Sequence, residues 1–245
     1  MSGHSKWSKI KRQKAAGDAK RGTMFTKLGR SITLAVKESG GVTDIESNNK
    51  LRIAIDQAKQ FNMPKENIQR AIERGAGKGE GLESLERVIY EGYGPHGIAL
   101  IIEAVTDNKQ RTSSQVKFVL SRTGGSLGSQ GSVVFQFSHQ GYIHVAPPAA
   151  GEDALLEMVI ECGGLDMEPE EDGEFGIYTD RTELHKVKDA LEKRGVTVLN
   201  AELVYRPTVT VPITEDEAHS LISCIEQLED LDDIHKVYAN DAIAA

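Results

Sequence analysis

Gly75-Ala76-Gly77-Lys78-Gly79-Glu80-Gly81 is where the chain changes character. Alternate glycines lose too much backbone entropy to be held in a helix or a strand, so the segment reads as a linker and hinge. It resembles a phosphate-binding loop only superficially, because no strand precedes it and no Lys-Ser or Lys-Thr pair closes it. A glycine-rich loop carrying Lys78 could nevertheless reach into a nucleic-acid cleft.

Upstream of this stretch, apolar residues recur at helical spacing. Phe25, Leu28, Ile32, Ala35 and Val36 share one face until Gly40-Gly41, and Leu51, Ala54, Ile55, Ala58 and Phe61 share another. Pro64 opens a third helix, with Ile68, Ala71 and Ile72 turned inward and Gly75 as its stop. Ahead of these, residues 7–20 carry a weak amphipathic pattern through Ile10, Ala15, Ala16 and Ala19, of a kind that orders on binding, and Gly22-Thr23 breaks and recaps it. The prediction is a basic, all-helical domain over residues 1–80, built on a three-helix bundle.

Downstream, the period switches to two, or to continuous apolar runs. Strands are predicted at 87–93 and 97–105 around the turn Gly94-Pro95-His96, then a helix at 108–122 with Val116, Val119 and Leu120 inward, then a glycine-rich stretch at 124–131. Residues 133–137 and 142–145 read as a hairpin. A helix at 152–161, an acidic loop, a strand at 175–179, a helix at 182–194 and a strand at 196–205 follow. After Pro207 come a strand at 208–213, a helix at 215–228 and a strand at 234–238. The expected fold class is α+β: an N-terminal three-helix domain followed by two small α+β domains, the second inserted into the first. Their bounds are 81–132 plus 207–245 for the discontinuous domain and 133–206 for the insert. A continuous division near Gly131 is the alternative.

Charge divides along the same line. The chain carries a formal net charge of −8, yet residues 3–30 hold Lys6, Lys9, Lys11, Arg12, Lys14, Lys20, Arg21, Lys27 and Arg30 against one acid, Asp18. Residues 1–79 sum to +10 and residues 80–245 to −18. Cations this dense repel one another unless an anionic partner lies across them, and a phosphodiester backbone is the commonest such partner. A solvated helix face that binds nothing is the plain alternative. Trp7, the only Trp, sits inside the run, where its indole either stacks on a base or anchors the segment to its own domain. The predicted nucleic-acid-binding residues are those nine cations and Trp7.

The same opening resembles a known family. Gly3-His4-Ser5-Lys6-Trp7, Lys11-Arg12, Lys14-Ala15-Ala16, Asp18-Ala19-Lys20-Arg21-Gly22 and Phe25-Thr26-Lys27-Leu28 are similar to the start of the YebC/PmpR family. The likeness continues through Asn62-Met63-Pro64-Lys65-Glu66-Asn67-Ile68, Tyr90-Glu91-Gly92-Tyr93-Gly94-Pro95, Thr106-Asp107-Asn108 with Arg111-Thr112, and Gly124-Gly125 with Gly128 and Gly131-Ser132-Val133. It loosens after Gly141. The resemblance implies a DNA-binding transcriptional regulator of the bacterial branch, or, as in the organelle branch, an activator of translation that holds ribosomal RNA on the ribosome. Lys and Arg alone do not separate the two, since both polymers present phosphates. The three helices lack a clear helix-turn-helix spacing, and no residue set is arranged to read base edges.

No catalytic constellation emerges, and neither metal nor cofactor is expected. His4, His96, His139, His144, His185, His219 and His235 are scattered singly; His139 and His144 flank the predicted hairpin turn without a third ligand. Glu168, Glu170, Glu171, Asp172 and Glu174 read as a solvated loop, and Glu229, Asp230, Asp232 and Asp233 form a second acidic cluster. Either could keep nucleic acid off the body or face a basic partner, and a hydrolase working in such a cleft is the remaining alternative. Thr106-Asp107-Asn108 reads as a strand end and helix cap, with Arg111 and Lys117 projecting beyond it. Cys162 and Cys224 read as reduced core residues. With no apolar run of membrane-spanning length and no signal-peptide core after Met1, the expected location is the cytoplasm. The number of subunits is not legible.

Overall fold

The computed structural model describes residues 18–78 and 85–243. The predicted pattern at residues 7–17 and the second half of the predicted hinge lie outside them. Helix α1 (Asp18–Glu38) buries Leu28, Ile32, Ala35 and Val36, one stripe at helical spacing. It runs unbroken through Gly22-Thr23, where the sequence predicts an interruption. A lone glycine costs a helix only about 1 kcal/mol, and Thr26 Oγ1 donates to the Gly22 carbonyl at 3.1 Å. The helix stops at Gly40-Gly41, whose amides return to Lys37 O and Val36 O at 3.0 and 2.9 Å.

Helix α2 (Asn49–Gln60) is capped by Asn48, whose Oδ1 accepts from the Leu51 amide at 3.0 Å. The Asn48 Nδ2 donates to Ala35 O, Ser39 Oγ and Val42 O, which ties the start of α2 to the end of α1. Pro64 leads into α3 (Lys65–Gly75). This helix ends hard against α1: a Cβ at Gly75 would stand 2.6 Å from Thr33 O, so only glycine fits. Together the three helices enclose Leu28, Ile32, Leu51, Ile55, Met63 and Ile68 in one apolar cluster.

The remaining elements are β1 (Glu86–Tyr93), β2 (Ala99–Thr106), α4 (Lys109–Arg122), β3 (Ser126–Leu127), β4 (Phe137–Val145), α5 (Glu152–Cys162), β5 (Asp166–Pro169), β6 (Phe175–Asp180), α6 (Leu184–Lys193), β7 (Val198–Pro207), β8 (Val211–Ile213), α7 (Glu215–Glu229), β9 (Ile234–Ala239) and β10 (Asp241–Ile243). The architecture is α+β. Two compact units result: the chain up to Phe137 together with the chain from Pro207, and Ser138–Arg206. The three helices thus share a unit with the first sheet.

That sheet has the order β3-β1-β2-β9, with β2 antiparallel to both neighbours. Helices α4 and α7 cover one face, joining Leu100, Ile102 and Ala104 to Val116, Leu120, Leu221, Ile225 and Leu228. Helix α1 also lies against β2, which accounts for a strand buried along nearly its whole length and for its continuous apolar run. The predicted strand at 208–213 does not join this sheet. Instead β8 pairs in parallel with β10, Val211 opposite Asp241. Strands β2 and β9 shift register between Glu103 and Ala104, which leaves His235 as the extra residue of a bulge.

The second unit runs β-α-β-β-α-β with sheet order β5-β6-β4-β7. Leu155 and Val159 of α5 and Leu184, Val187 and Leu191 of α6 are buried. The hairpin predicted at 133–137 and 142–145 does not form: residues 134–136 make a single 3-10 turn, and β4 is one strand, antiparallel to β6. Gly141, read as a turn residue, instead marks a close approach, since a Cβ there would meet Thr179 Oγ1 at 2.3 Å. His139 and His144 therefore share a strand and do not face each other across a turn.

Candidate nucleic-acid interface

Among the ten predicted contact residues, Lys6, Trp7, Lys9, Lys11, Arg12 and Lys14 lie outside the described residues. Lys20 and Arg21 belong to α1, as do Lys27 and Arg30 one turn apart. The last two face inward. Lys27 is buried and its Nζ donates to the Glu229 carbonyl. Arg30 donates to Asp232 O at 3.0 Å and to Asp233 Oδ1 at 2.8 Å. Next to them, Ser31 Oγ lies 3.1 Å from Nδ1 of His235, the residue lifted out by the bulge. Both cations find partners within the chain, Lys27 a carbonyl and Arg30 a carbonyl and a carboxylate, all from the second acidic cluster, at the end of α7 and the turn before β9.

Asp233 is the centre of that contact and is only 3% exposed. Besides Arg30, its carboxylate accepts from Arg111 at 2.7 Å, Thr112 Oγ1 at 2.7 Å and Thr106 Oγ1 at 3.2 Å. Burial by itself would raise its pKa. The hydrogen bonds from Arg111 and Thr112 and the charges of Arg111 and Arg30 outweigh that and hold the carboxyl below its ordinary value. Asn108 caps α4 as predicted, accepting from the Arg111 amide at 3.0 Å. Capping does not exhaust the motif, however. The Arg111 guanidinium is clamped between Asp107 at 2.6 Å and Asp233, so it does not project.

Exposed cations remain on α3 and just beyond it: Lys65, Arg70, Arg74 and Lys78. Arg70 folds back on Glu66 O and Asn67 Oδ1, while the side chains of Lys65, Arg74 and Lys78 make no hydrogen bond or ion pair among the described residues. Apart from Lys78, none stands out in the sequence, because they are spread at helical intervals between acids. The i, i+4 spacing of Arg70 and Arg74 is the signal that could have found them.

A second buried carboxylate organises the glycine-rich stretch. Glu91, on β1 and 5% exposed, accepts from the amides of Gly131 at 2.6 Å and of Val133 and Val134 at 2.8 Å. Burial pushes its pKa up, and the three amides pull it below the ordinary value.

In the second unit, Tyr142 on β4 and Tyr178 on β6 stand side by side on the two central strands, ring centroids 5.4 Å apart. Aromatic side chains on such strands are where RNA-binding sheets of similar layout stack bases. These two are committed otherwise. The Arg206 guanidinium lies 3.9 Å from the Tyr178 centroid while paired with Asp166 and Glu168, and Tyr142 donates to Glu170 at 3.0 Å. Burial and then the neighbouring carboxylates push both phenols far up. Most of the acidic loop is therefore a clamp, with Glu174 paired to His144 at 2.7 Å. Among the described residues no three His, Cys, Asp or Glu side chains gather as metal ligands would.

The stretches on either side of the glycine-rich linker both have counterparts in known proteins. Residues 5–78 match the TACO1/YebC protein N-terminal domain, and residues 85–241 match the TACO1/YebC second and third domain. The chain belongs to the TACO1/YebC family. The family's own division falls between α3 and β1, on the glycine-rich stretch. A protein of Persephonella marina named "probable transcriptional regulatory protein" is 48% identical over 241 residues, 98% of this chain and 95% of its own. One of the same name from Glaesserella parasuis is 46% identical over 244 residues, covering 100% and 97%. The crystal structure of a conserved hypothetical protein from Aquifex aeolicus superposes with a TM-score of 0.83 at 45% identity, over 93% of each chain. No described helix is long and apolar enough to cross a membrane.

Proposed function

We propose that this chain is a cytoplasmic, non-catalytic regulatory protein that binds nucleic acid, acting on DNA as a transcriptional regulator through its basic amino-terminal segment. The observation that carries the reading is the charge division: nine cations against one acid over residues 3–30 of an otherwise acidic chain. The names of the relatives support a regulatory role. Lys27 and Arg30 serve the grip indirectly, by fixing the middle of α1 to the body. Lys6, Trp7, Lys9, Lys11, Arg12, Lys14, Lys20 and Arg21 make the contacts, and Lys65, Arg74 and Lys78 extend the positive surface.

Charge reversal tests this directly. Replacing Lys9, Lys11, Arg12 and Lys14 together by Glu should abolish binding to duplex DNA. Wild-type log affinity should fall against log salt with a slope near −4 to −5, as about five phosphate contacts require. Full affinity in the quadruple variant would remove the segment from the mechanism. A second reading, a translation factor that holds ribosomal RNA, is favoured by the lack of any residue set suited to reading base edges, since phosphate contacts serve either polymer. Co-sedimentation with ribosomal subunits, lost in the same variant, would select it; retention on DNA without ribosomes would select the first.

A further inference from the structure

Residues 108–151 contain no Asp or Glu, although residues 80–245 as a whole are strongly acidic. Helix α4 occupies the start of this window and carries Lys109, Arg111, Lys117 and Arg122 without one acid. Val116, Val119 and Leu120 are buried against the sheet, which turns Gln110, Ser114, Gln115, Lys117, Phe118, Ser121 and Arg122 to solvent. Two of the cations are already used: Lys109 pairs with Glu86 at 2.8 Å and Arg111 with Asp107 and Asp233. Lys117 and Arg122 make no hydrogen bond or ion pair among the described residues. Between them Phe118 is 65% exposed. No packing or ion pair accounts for this combination of an open aromatic ring and two open cations. The adjoining helix α7 exposes His219, Ser220 and Ser223 along its middle, its acids lying in its first turn and toward its end.

We propose that the outer face of α4 is a second nucleic-acid contact, specific for unpaired nucleotides, with Phe118 stacking on a base while Lys117 and Arg122 hold the flanking phosphates. An aromatic ring flanked by cations is the combination that binds single strands regardless of sequence, because every base offers a π-face and every nucleotide a phosphate. The ring cannot stack on a base that is already paired. The neutral serines and glutamines around it leave the approach free of repulsion. The proposal rests on the nucleic-acid reading above but not on the amino-terminal segment itself.

The test uses the full chain and labelled oligouridine or oligothymidine of about twelve nucleotides, with a matched duplex as comparison. Phe118→Ala should weaken single-strand binding roughly five- to a hundred-fold and leave duplex binding unchanged. Lys117→Glu with Arg122→Glu should weaken it further and reduce the steepness of the salt dependence by about 1 to 1.5. Ultraviolet crosslinking should attach the oligonucleotide to the segment containing Phe118. Both variants should melt at the wild-type temperature, since neither site is buried. Wild-type affinity in both, with binding lost only on reversal of Lys9, Lys11, Arg12 and Lys14, overturns this contact and leaves the amino-terminal reading standing. Equal loss on duplex and single strand after Phe118→Ala also overturns it. Unchanged oligonucleotide binding accompanied by loss of a co-purifying protein overturns it in favour of a protein partner. A wild-type chain that binds no nucleic acid at all overturns both readings.

Discussion

Helices α1 and α4 are both rich in Lys and Arg, and their cations meet opposite fates. On α1, Lys27 and Arg30 are drawn into the body by the Glu229 and Asp232 carbonyls and the Asp233 carboxylate. On α4, Arg111 goes to the same carboxylate, whereas Lys117 and Arg122, nearly two and about three turns further on, remain in solvent. What separates the two sets is whether the segment from Glu229 to Asp233 lies within reach. A count of positive residues therefore says how much charge a helix carries and little about how much of it a partner can touch.

The severest way to break this contrast is to delete the shared acid. Asp233→Ala leaves Arg30, Arg111, Thr106 and Thr112 without their common acceptor. A fully buried pair broken in this way would cost more, but the two arginines are partly exposed, so a loss of about 2–4 kcal/mol is expected. That should appear as a fall of roughly 5–15 °C in melting temperature. A fall within error would show that Arg30 is as free as Lys117 and Arg122.

Next in size is Glu91→Gln, which sets an amide NH2 against backbone donors at Gly131, Val133 and Val134. It should cost about 2 kcal/mol and speed hydrogen exchange at those amides, while Asp233 and its arginines stay unaffected. Arg30→Ala should cost about 1 kcal/mol, and Lys117→Ala and Arg122→Ala under about 0.5 kcal/mol each. Urea unfolding of the three variants measures the contrast directly, and equal values would abolish it.

The pH dependence sharpens the same point. Asp233 and Glu91 both have folded-state pKa values held below those of the unfolded chain. The stabilisation each supplies is present in full above the ordinary carboxylate range near pH 4, and it is lost as pH falls through the lower folded values. Melting temperature should therefore hold at mild pH and drop steeply below about pH 4. Asp233→Asn, already deprived of its share, should show a shallower drop.

Local features were legible in the sequence and long-range ones were not. Helical periodicity located the bundle, Asn108 announced the start of α4, and Gly40-Gly41 marked the end of α1. Gly22 and Gly141 misled, because glycine marks a turn only when the surroundings do not require an unbroken helix or a close contact between neighbours. Nothing near Lys27 or Arg30 hints that their partners lie some two hundred positions away, so the basic run reads as uniformly available. The parallel pairing of β8 with β10 and the role of Arg206 over Tyr178 are equally non-local. Phe118 carries no signal in the sequence, because its exposure depends on which face of the helix the sheet takes.

One further feature lies where β4 departs and β7 returns. Thr208 donates through its amide and its hydroxyl to the Gln136 carbonyl at 2.8 and 3.0 Å, and Asn240 Nδ2 reaches Gln136 Oε1 at 3.0 Å. Exit and re-entry are stitched together within the host unit itself. A lineage could swap, shorten or enlarge everything between those two stitches and leave the parent sheet undisturbed, which makes this the natural seam for splicing one member's middle module into another.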